Sequence, residues 1–321
     1  MESVRAWVES ALGTTISELQ PLAGGAGARS YWRVPATASS PSAILMHALP
    51  EDPELLPPGL RPDADSIPFV RVTEFLAGHG LPVPRILAVD FERRWVLEED
   101  LGDTRLVDLP EDQQAQWRRE VIDLVARVHD LPTAALPYDR VFDEAWIAFE
   151  LGVFLEHGIA PGRREEIRSA LRDLGRAIAE LPRVPSLRDV QSQNLMIDGR
   201  GKLRILDYQD LLLAPAELDL AGFLYDSYVT IAAEERSALS ERYCRARGTP
   251  FDPASLCLLA LQRKCKDYGI FRRLIRVKND LRYVAAEQSA RCVIETMLGE
   301  LPGSLRHIGE ALGEALEGEP I

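Results

Sequence analysis

The segment from Arg188 to Asp210 constrains this chain more than any other. It reads Arg188-Asp189-Val190-Gln191-Ser192-Gln193-Asn194, then Leu195-Met196-Ile197, Asp198-Gly199-Arg200-Gly201, Leu203-Arg204-Ile205-Leu206 and Asp207-Tyr208-Gln209-Asp210. An Asp-Gly pair between two apolar runs predicts a β-hairpin. Folding that hairpin brings Asn194 and Asp207 to the same end of two paired strands. An amide oxygen beside a carboxylate is a hard-oxygen donor set of the kind that suits Mg²⁺ carrying bound phosphates. Asp189, five residues before Asn194, lies on the loop leading to the same place. There it is positioned to accept a proton from a substrate hydroxyl.

The rest of the chain changes character near residue 100. Before it, Tyr31–Val34, Ala43–Met46, Ile86–Val89 and Trp95–Leu97 read as short strands, with a helix over Phe69–Gly78. The proline-rich stretch Pro50–Pro68 reads as a surface loop. After it, apolar residues recur at spacings of three and four through Trp117–Leu131 and Ile167–Ile178. Further helices are expected over Asp219–Ala232, Ala254–Ile275, Ala285–Leu298 and Ser304–Leu316. The expected fold is therefore α+β, with a β-rich N-terminal lobe over residues 1–100 and a mostly helical lobe over 101–321. Ahead of the first strand stands Leu22-Ala23-Gly24-Gly25-Ala26-Gly27-Ala28-Arg29. Glycines there let backbone N–H groups approach phosphate oxygens, and Arg29 adds charge. Asp219 reads as a helix N-cap.

The chain's 50 acidic and 37 basic residues give 321 residues a formal charge of −13. With no long basic run, that balance argues against nucleic acid and anionic membranes as partners. It also obliges any site for an anionic substrate to gather cations locally; Arg29, Arg33 and the Arg263–Lys266 segment are the candidates. The run Arg263, Lys264, Lys266, Arg272, Arg273 nevertheless reads first as a solvated helix face. Cys244, Cys257, Cys265 and Cys292 form no CxxC pair, and no secretory or membrane-spanning segment is apparent, so a cytoplasmic enzyme is expected.

The D-x₄-N pattern followed by a strand-terminal Asp is the core of the kinase catalytic segment. With it, Arg29–Val34, Phe69–Val72, Glu99-Asp100-Leu101-Gly102-Asp103, Asp219-Leu220, Leu261-Gln262-Arg263, Lys266 and Gly269-Ile270-Phe271 resemble the aminoglycoside phosphotransferase/choline kinase superfamily. Within it, the chain looks most like the bacterial anomeric N-acetylmuramate/N-acetylglucosamine kinases. The resemblance implies a two-lobed protein-kinase-like fold and ATP-dependent phosphorylation of an amino sugar in cell-wall recycling, with no protein partner inferred. It implies Asp189 as the catalytic carboxylate, and Asn194 and Asp207 as holders of Mg²⁺. It also implies that Gly24, Gly25, Gly27 and Arg29 cover the ATP phosphates and that Leu97, Glu98 and Glu99 form the adenine-contacting hinge. His47, Gln191, Gln193, Asp210, Arg263 and Lys266 are candidate substrate or phosphate contacts. The chain departs from the family at Leu187, where a His is usual, and at Val190, Gln191 and Gln193 inside the loop. The strand Ile44–His47 lacks the Lys usual in the wider superfamily, as the sugar-kinase branch does, which leaves Glu74 without a Lys partner. Two other functions stay open: a kinase for an aminoglycoside or similar hydroxylated amine, which acidic residues lining the helical lobe would favour, and a nucleotide-binding pseudokinase, which the altered loop at Leu187, Val190 and Gln193 motivates.

Overall fold

A computed structural model describes residues 2–22, 29–49, 56–57, 67–250 and 252–317. The early elements are α1 (Glu2–Leu12), β1 (Gln20–Leu22), β2 (Ser30–Val34), β3 (Ala43–His47), α2 (Pro68–Gly78), β4 (Ile86–Asp90) and β5 (Trp95–Glu99). There follow α3 (Glu111–His129), α4 (Glu144–His157), α5 (Arg164–Ala179), β6 (Arg183–Ser186), β7 (Leu195–Ile197), β8 (Leu203–Ile205) and β9 (Leu212–Pro215). The chain ends in α6 (Glu217–Leu224), α7 (Ala233–Arg247), α8 (Pro253–Lys278), α9 (Val284–Glu300) and α10 (Arg306–Leu316). It divides into two compact units. One runs from the N-terminal region to Thr104 and adds Leu195–Asp210; the other holds Arg105–Asn194 and Leu211 onward.

The first unit is an antiparallel sheet in the order β1-β2-β3-β5-β4. Strand alternation puts Trp32, Val34, Ala43, Leu45 and Leu97 on one face. There they form a core with Val4 and Val8 of α1 and with Ile16. The opposite face carries Tyr31, Arg33, Met46, Val96 and Glu98 in register. The expected hairpin is present as β7 and β8, with Leu195 opposite Ile205 and Ile197 opposite Leu203. The Asp198 carboxylate closes its turn by accepting the Arg200 and Lys202 N–H groups. It belongs to the first unit because Ile205 N–H donates to Pro82 O at 3.0 Å and Ile197 N–H to Thr104 O at 2.9 Å. Arg204 adds a 2.8 Å bond to Glu99.

The second unit is helical around α8. Asp252 caps that helix through the Ala254 and Ser255 N–H groups, Pro253 fits its first turn, and Asn279 ends it in the left-handed region at φ 54°. Residues 255–269 of α8 are all buried, so no face of this stretch is left to solvent. Gly269 lies against α4 so closely that a Cβ would stand 2.7 Å from Phe154 Cα and Val153 O. A side chain there would push the helices apart.

Two expectations are corrected. The helix expected over Asp219–Ala232 is α6 and stops at Leu224; the chain then turns so that Asp226 can serve the loop described below. The basic run on α8 is not a solvated face, because Arg263, Lys264, Lys266 and Arg272 are buried with acidic partners. Among the described residues, no helix is long and apolar enough to cross a membrane.

Candidate active site

The first unit contributes one group of candidates. Gly24, Gly25 and Gly27 lie outside the described residues. Arg29 donates to Asp207 Oδ1 at 3.3 Å, and Gln209 Nε2 donates to the same oxygen at 2.9 Å. Among the described residues no bond falls on Oδ2. Asp207 takes φ 58°, a conformation disfavoured for a residue with a Cβ by about 1 kcal/mol or more. The neighbouring residue holds it there: Tyr208 is buried, shares a 2.8 Å hydrogen bond with Thr73 Oγ1 of α2 and stacks on Phe69. Asp210 lies within electrostatic reach of Arg29.

On β5, Leu97 belongs to the core, while Glu99 is held by Arg204 and the Arg85 N–H. Glu98 is buried with its Oε2 unbonded. Burial pushes its carboxyl up to about 8, against the opposing pull of Arg29. Glu98 is thus protonated at neutral pH. His47 is half-buried at the end of β3 and Glu74 is exposed; neither makes a hydrogen bond or ion pair among the described residues. Arg33 is used structurally, tying Asp100 at 2.8 Å and Asp103 at 2.7 Å, which accounts for the Asp100–Asp103 motif.

The second unit contributes the loop from Ser186 to Asn194. Asp219, expected to cap a helix, instead sits inside α6 and is fully buried. Its carboxylate accepts Ser186 Oγ at 2.8 Å, Leu187 N–H at 3.0 Å and Arg188 N–H at 2.8 Å. His129 of α3 lies 3.1 Å away. These bonds hold Arg188 at φ 69°. Leu187 thereby orients the loop through its backbone, with its side chain in the core. Farther along, Asp226 accepts Ser192 N–H at 2.6 Å. Gly222 of α6 lets Val190 O approach to 3.0 Å from where a Cβ would stand. Asn194 Nδ2 donates to Asp189 O at 2.9 Å, which leaves the amide oxygen available. Gln191 and Gln193 are half-buried, and their side chains make no bond among the described residues.

Around Asp189 the structure assembles a buried charge cluster. Arg263 Nη2 donates to Asp189 Oδ1 at 2.8 Å, Arg188 Nη1 lies 3.6 Å from Oδ2, and Lys266 Nζ lies 3.7 Å from Oδ1. Burial alone would raise the Asp189 carboxyl. The charges of Lys266, Arg188 and Arg263 outweigh it and hold the group well below the usual carboxylate range. Glu150 of α4 is the counter-charge. It accepts Trp146 Nε1 at 3.1 Å, Arg188 Nη2 at 2.8 Å and Gln262 Nε2 at 2.9 Å. Sequence reasoning passed over Glu150. Its one signal is a carboxylate four residues after Trp146 in the apolar middle of its helix, the i,i+4 pairing seen here.

Residues 18–259 match the phosphotransferase enzyme family, APH. The chain is 30% identical to the N-acetylmuramate/N-acetylglucosamine kinase of Pseudomonas aeruginosa, over 94% of this chain and 90% of that one. It is 27% identical to the enzyme of the same name from Neisseria meningitidis serogroup B, over 92% and 94%. The choline kinase LicA of Streptococcus pneumoniae has the same fold, with a TM-score of 0.69 at 16% identity, covering 92% of this chain and 98% of that one.

Proposed function

Because the chain belongs to the phosphotransferase enzyme family and is a kinase, we propose that it transfers the γ-phosphoryl group of ATP to the anomeric hydroxyl of an amino sugar of the N-acetylmuramate or N-acetylglucosamine kind. The observation that carries this reading is the cationic clamp on Asp189. A carboxylate held so acidic is a weak proton acceptor. It suits an anomeric hydroxyl, more acidic than an ordinary alcohol, and its main work is to orient that hydroxyl. Three cations within 4 Å of the reactive carboxylate also disfavour a cationic acceptor such as an aminoglycoside or choline. The names of the curated relatives support the same acceptor class.

Asn194 and Asp207 are the residues that would hold Mg²⁺, each by the chemistry of its own donor. The first has its amide oxygen turned away from its own hydrogen bond, and the second offers an unbonded carboxylate oxygen among the described residues. When bound, the ion neutralises phosphate charge. Arg29 adds a cation on the first unit, and Leu97–Glu99 supplies backbone groups for the base. Asp189 accepts the hydrogen bond of the acceptor hydroxyl and aligns its oxygen for in-line attack. A cytoplasmic location goes with this reading, since the proposed reaction consumes ATP.

The test is ADP release on N-acetylmuramate, N-acetylglucosamine, an aminoglycoside and choline. Turnover is expected with the sugars and absent in Asp207→Ala. ATP binding with no turnover on any acceptor would mark a pseudokinase and overturn the proposal.

A further inference from the structure

One cation of the buried cluster is held by ion pairs longer than a hydrogen bond. Arg263 bonds to Asp189 and to the Arg188 carbonyl, Lys264 bonds to Ser227 and Asp267, and Arg188 bonds to Glu150 and stacks over Trp146. Lys266 differs. Only 6% of the residue is accessible, and its ammonium lies 3.7 Å from Asp189 and 3.9 Å from Glu150. Among the described residues it donates no hydrogen bond. An ammonium paired with two carboxylates beyond hydrogen-bond distance keeps its donors free for an acceptor brought between them. The position is also imposed from outside. Gly269, one turn along α8, fixes that helix against α4, and so fixes Lys266 between Glu150 and Asp189.

The location identifies the acceptor. A hydroxyl bonded to Asp189 at about 2.7 Å puts its oxygen within reach of an ammonium that is itself beside Oδ1. No residue of the loop Val190–Gln193 carries a positive charge, and neither does strand β3 apart from any charge on His47. We infer that Lys266 is a catalytic residue: it donates to the non-bridging oxygens of the phosphoryl group as that group passes to the anomeric oxygen held by Asp189. This rests on the kinase reading above and adds to it a cation drawn from α8.

In the step so assisted, the anomeric oxygen forms a bond to the γ-phosphorus while the bond from that phosphorus to the bridging oxygen breaks. The electron pair of the broken bond leaves with ADP. The hydroxyl proton passes late to Asp189 and then to water, giving the sugar 1-phosphate. Lys266 keeps its proton throughout. It neutralises the phosphoryl group while that group is in transit beside Asp189, so its effect falls on kcat rather than on sugar binding.

The experiment compares wild type, Lys266→Met and Lys266→Arg on N-acetylglucosamine, which is neutral, and N-acetylmuramate, which carries a carboxylate. In Lys266→Met, kcat is expected to fall about 100-fold on both sugars. The KM for sugar and the Kd for ATP should stay within about threefold, and Lys266→Arg should recover at least about tenfold of the lost kcat. A fall in kcat under about fivefold would overturn the role. So would a defect confined to KM for the acidic sugar, which would mark Lys266 as a reader of the substrate carboxylate. An arginine variant as inactive as the methionine one, with ATP affinity lost alongside, would mark a purely structural residue and overturn it too. If wild type instead phosphorylates a different acceptor, the sugar reading falls, and the same kcat comparison on that acceptor decides Lys266 separately.

Discussion

Replacing Glu98 with Gln should make this protein more stable, and increasingly so as pH rises. The Glu98 carboxyl is buried with Oε2 unbonded, and it titrates at about 8 in the folded chain against an ordinary value of 4.5. Below pH 4.5 the folded and unfolded states both hold the proton. Between 4.5 and about 8 the folded state keeps it while the unfolded state releases it, so stability falls as pH rises. At about 1.4 kcal/mol per pH unit, the loss accumulated by pH 7 is about 3 kcal/mol. The isosteric amide does not titrate, so Glu98→Gln escapes that loss. The assay is thermal unfolding of both proteins from pH 5 to pH 8.5. The two melting temperatures should nearly coincide at pH 5 and diverge steadily, with the variant higher at pH 8. Parallel curves, or a variant less stable than wild type at pH 8, would refute the assignment of a neutral buried acid on β5.

Two further outcomes follow from the same geometry. Because Lys266, Arg188 and Arg263 hold Asp189 well below the usual carboxylate range, it stays ionised through the neutral range. The acid limb of kcat/KM should therefore lie below pH 4, and Asp189→Asn should lower kcat by roughly 100-fold or more; a limb between pH 5 and 7 would contradict the clamp. Gly269→Ala puts a Cβ 2.7 Å from the α4 backbone, so it should destabilise the protein by about 1–3 kcal/mol and reduce kcat with it. Unfolding and initial-rate measurements on the same preparation check both effects.

The hairpin was legible because its signal is local. An Asp-Gly turn sets the register of β7 and β8 within a dozen residues. Strands β2, β3, β4 and β5 were legible for the same reason, whereas the three residues of β1 are too short a run to signal a strand. What escaped were roles set by tertiary burial. Asp219 looked like a cap because it stands at the start of an apolar helix. Its partners Ser186, Leu187 and Arg188 lie more than 30 positions away, and no spacing rule reaches them. The cations of α8 looked solvated because charged helix faces usually are. Here Glu150, Asp189 and Asp267 make their burial tolerable. Helix α7 escaped for the opposite reason: only Leu239, Ser240 and Tyr243 are buried, which leaves almost no apolar stripe to detect.

The charge balance acquires a sharper meaning beside this site. A chain of net charge −13 gathers Arg188, Arg263 and Lys266 around the Asp189 carboxylate and offsets them with Glu150 and Asp267. The acidic surplus therefore coexists with a local environment fit for phosphate chemistry.

The most direct test of the central claim is ³¹P NMR of the product formed from ATP and N-acetylmuramate or N-acetylglucosamine. A new phosphomonoester resonance coupled to the anomeric proton, absent with Asp207→Ala, is the predicted result. Phosphate on any other hydroxyl, or a product undiminished in Asp207→Ala, would contradict it.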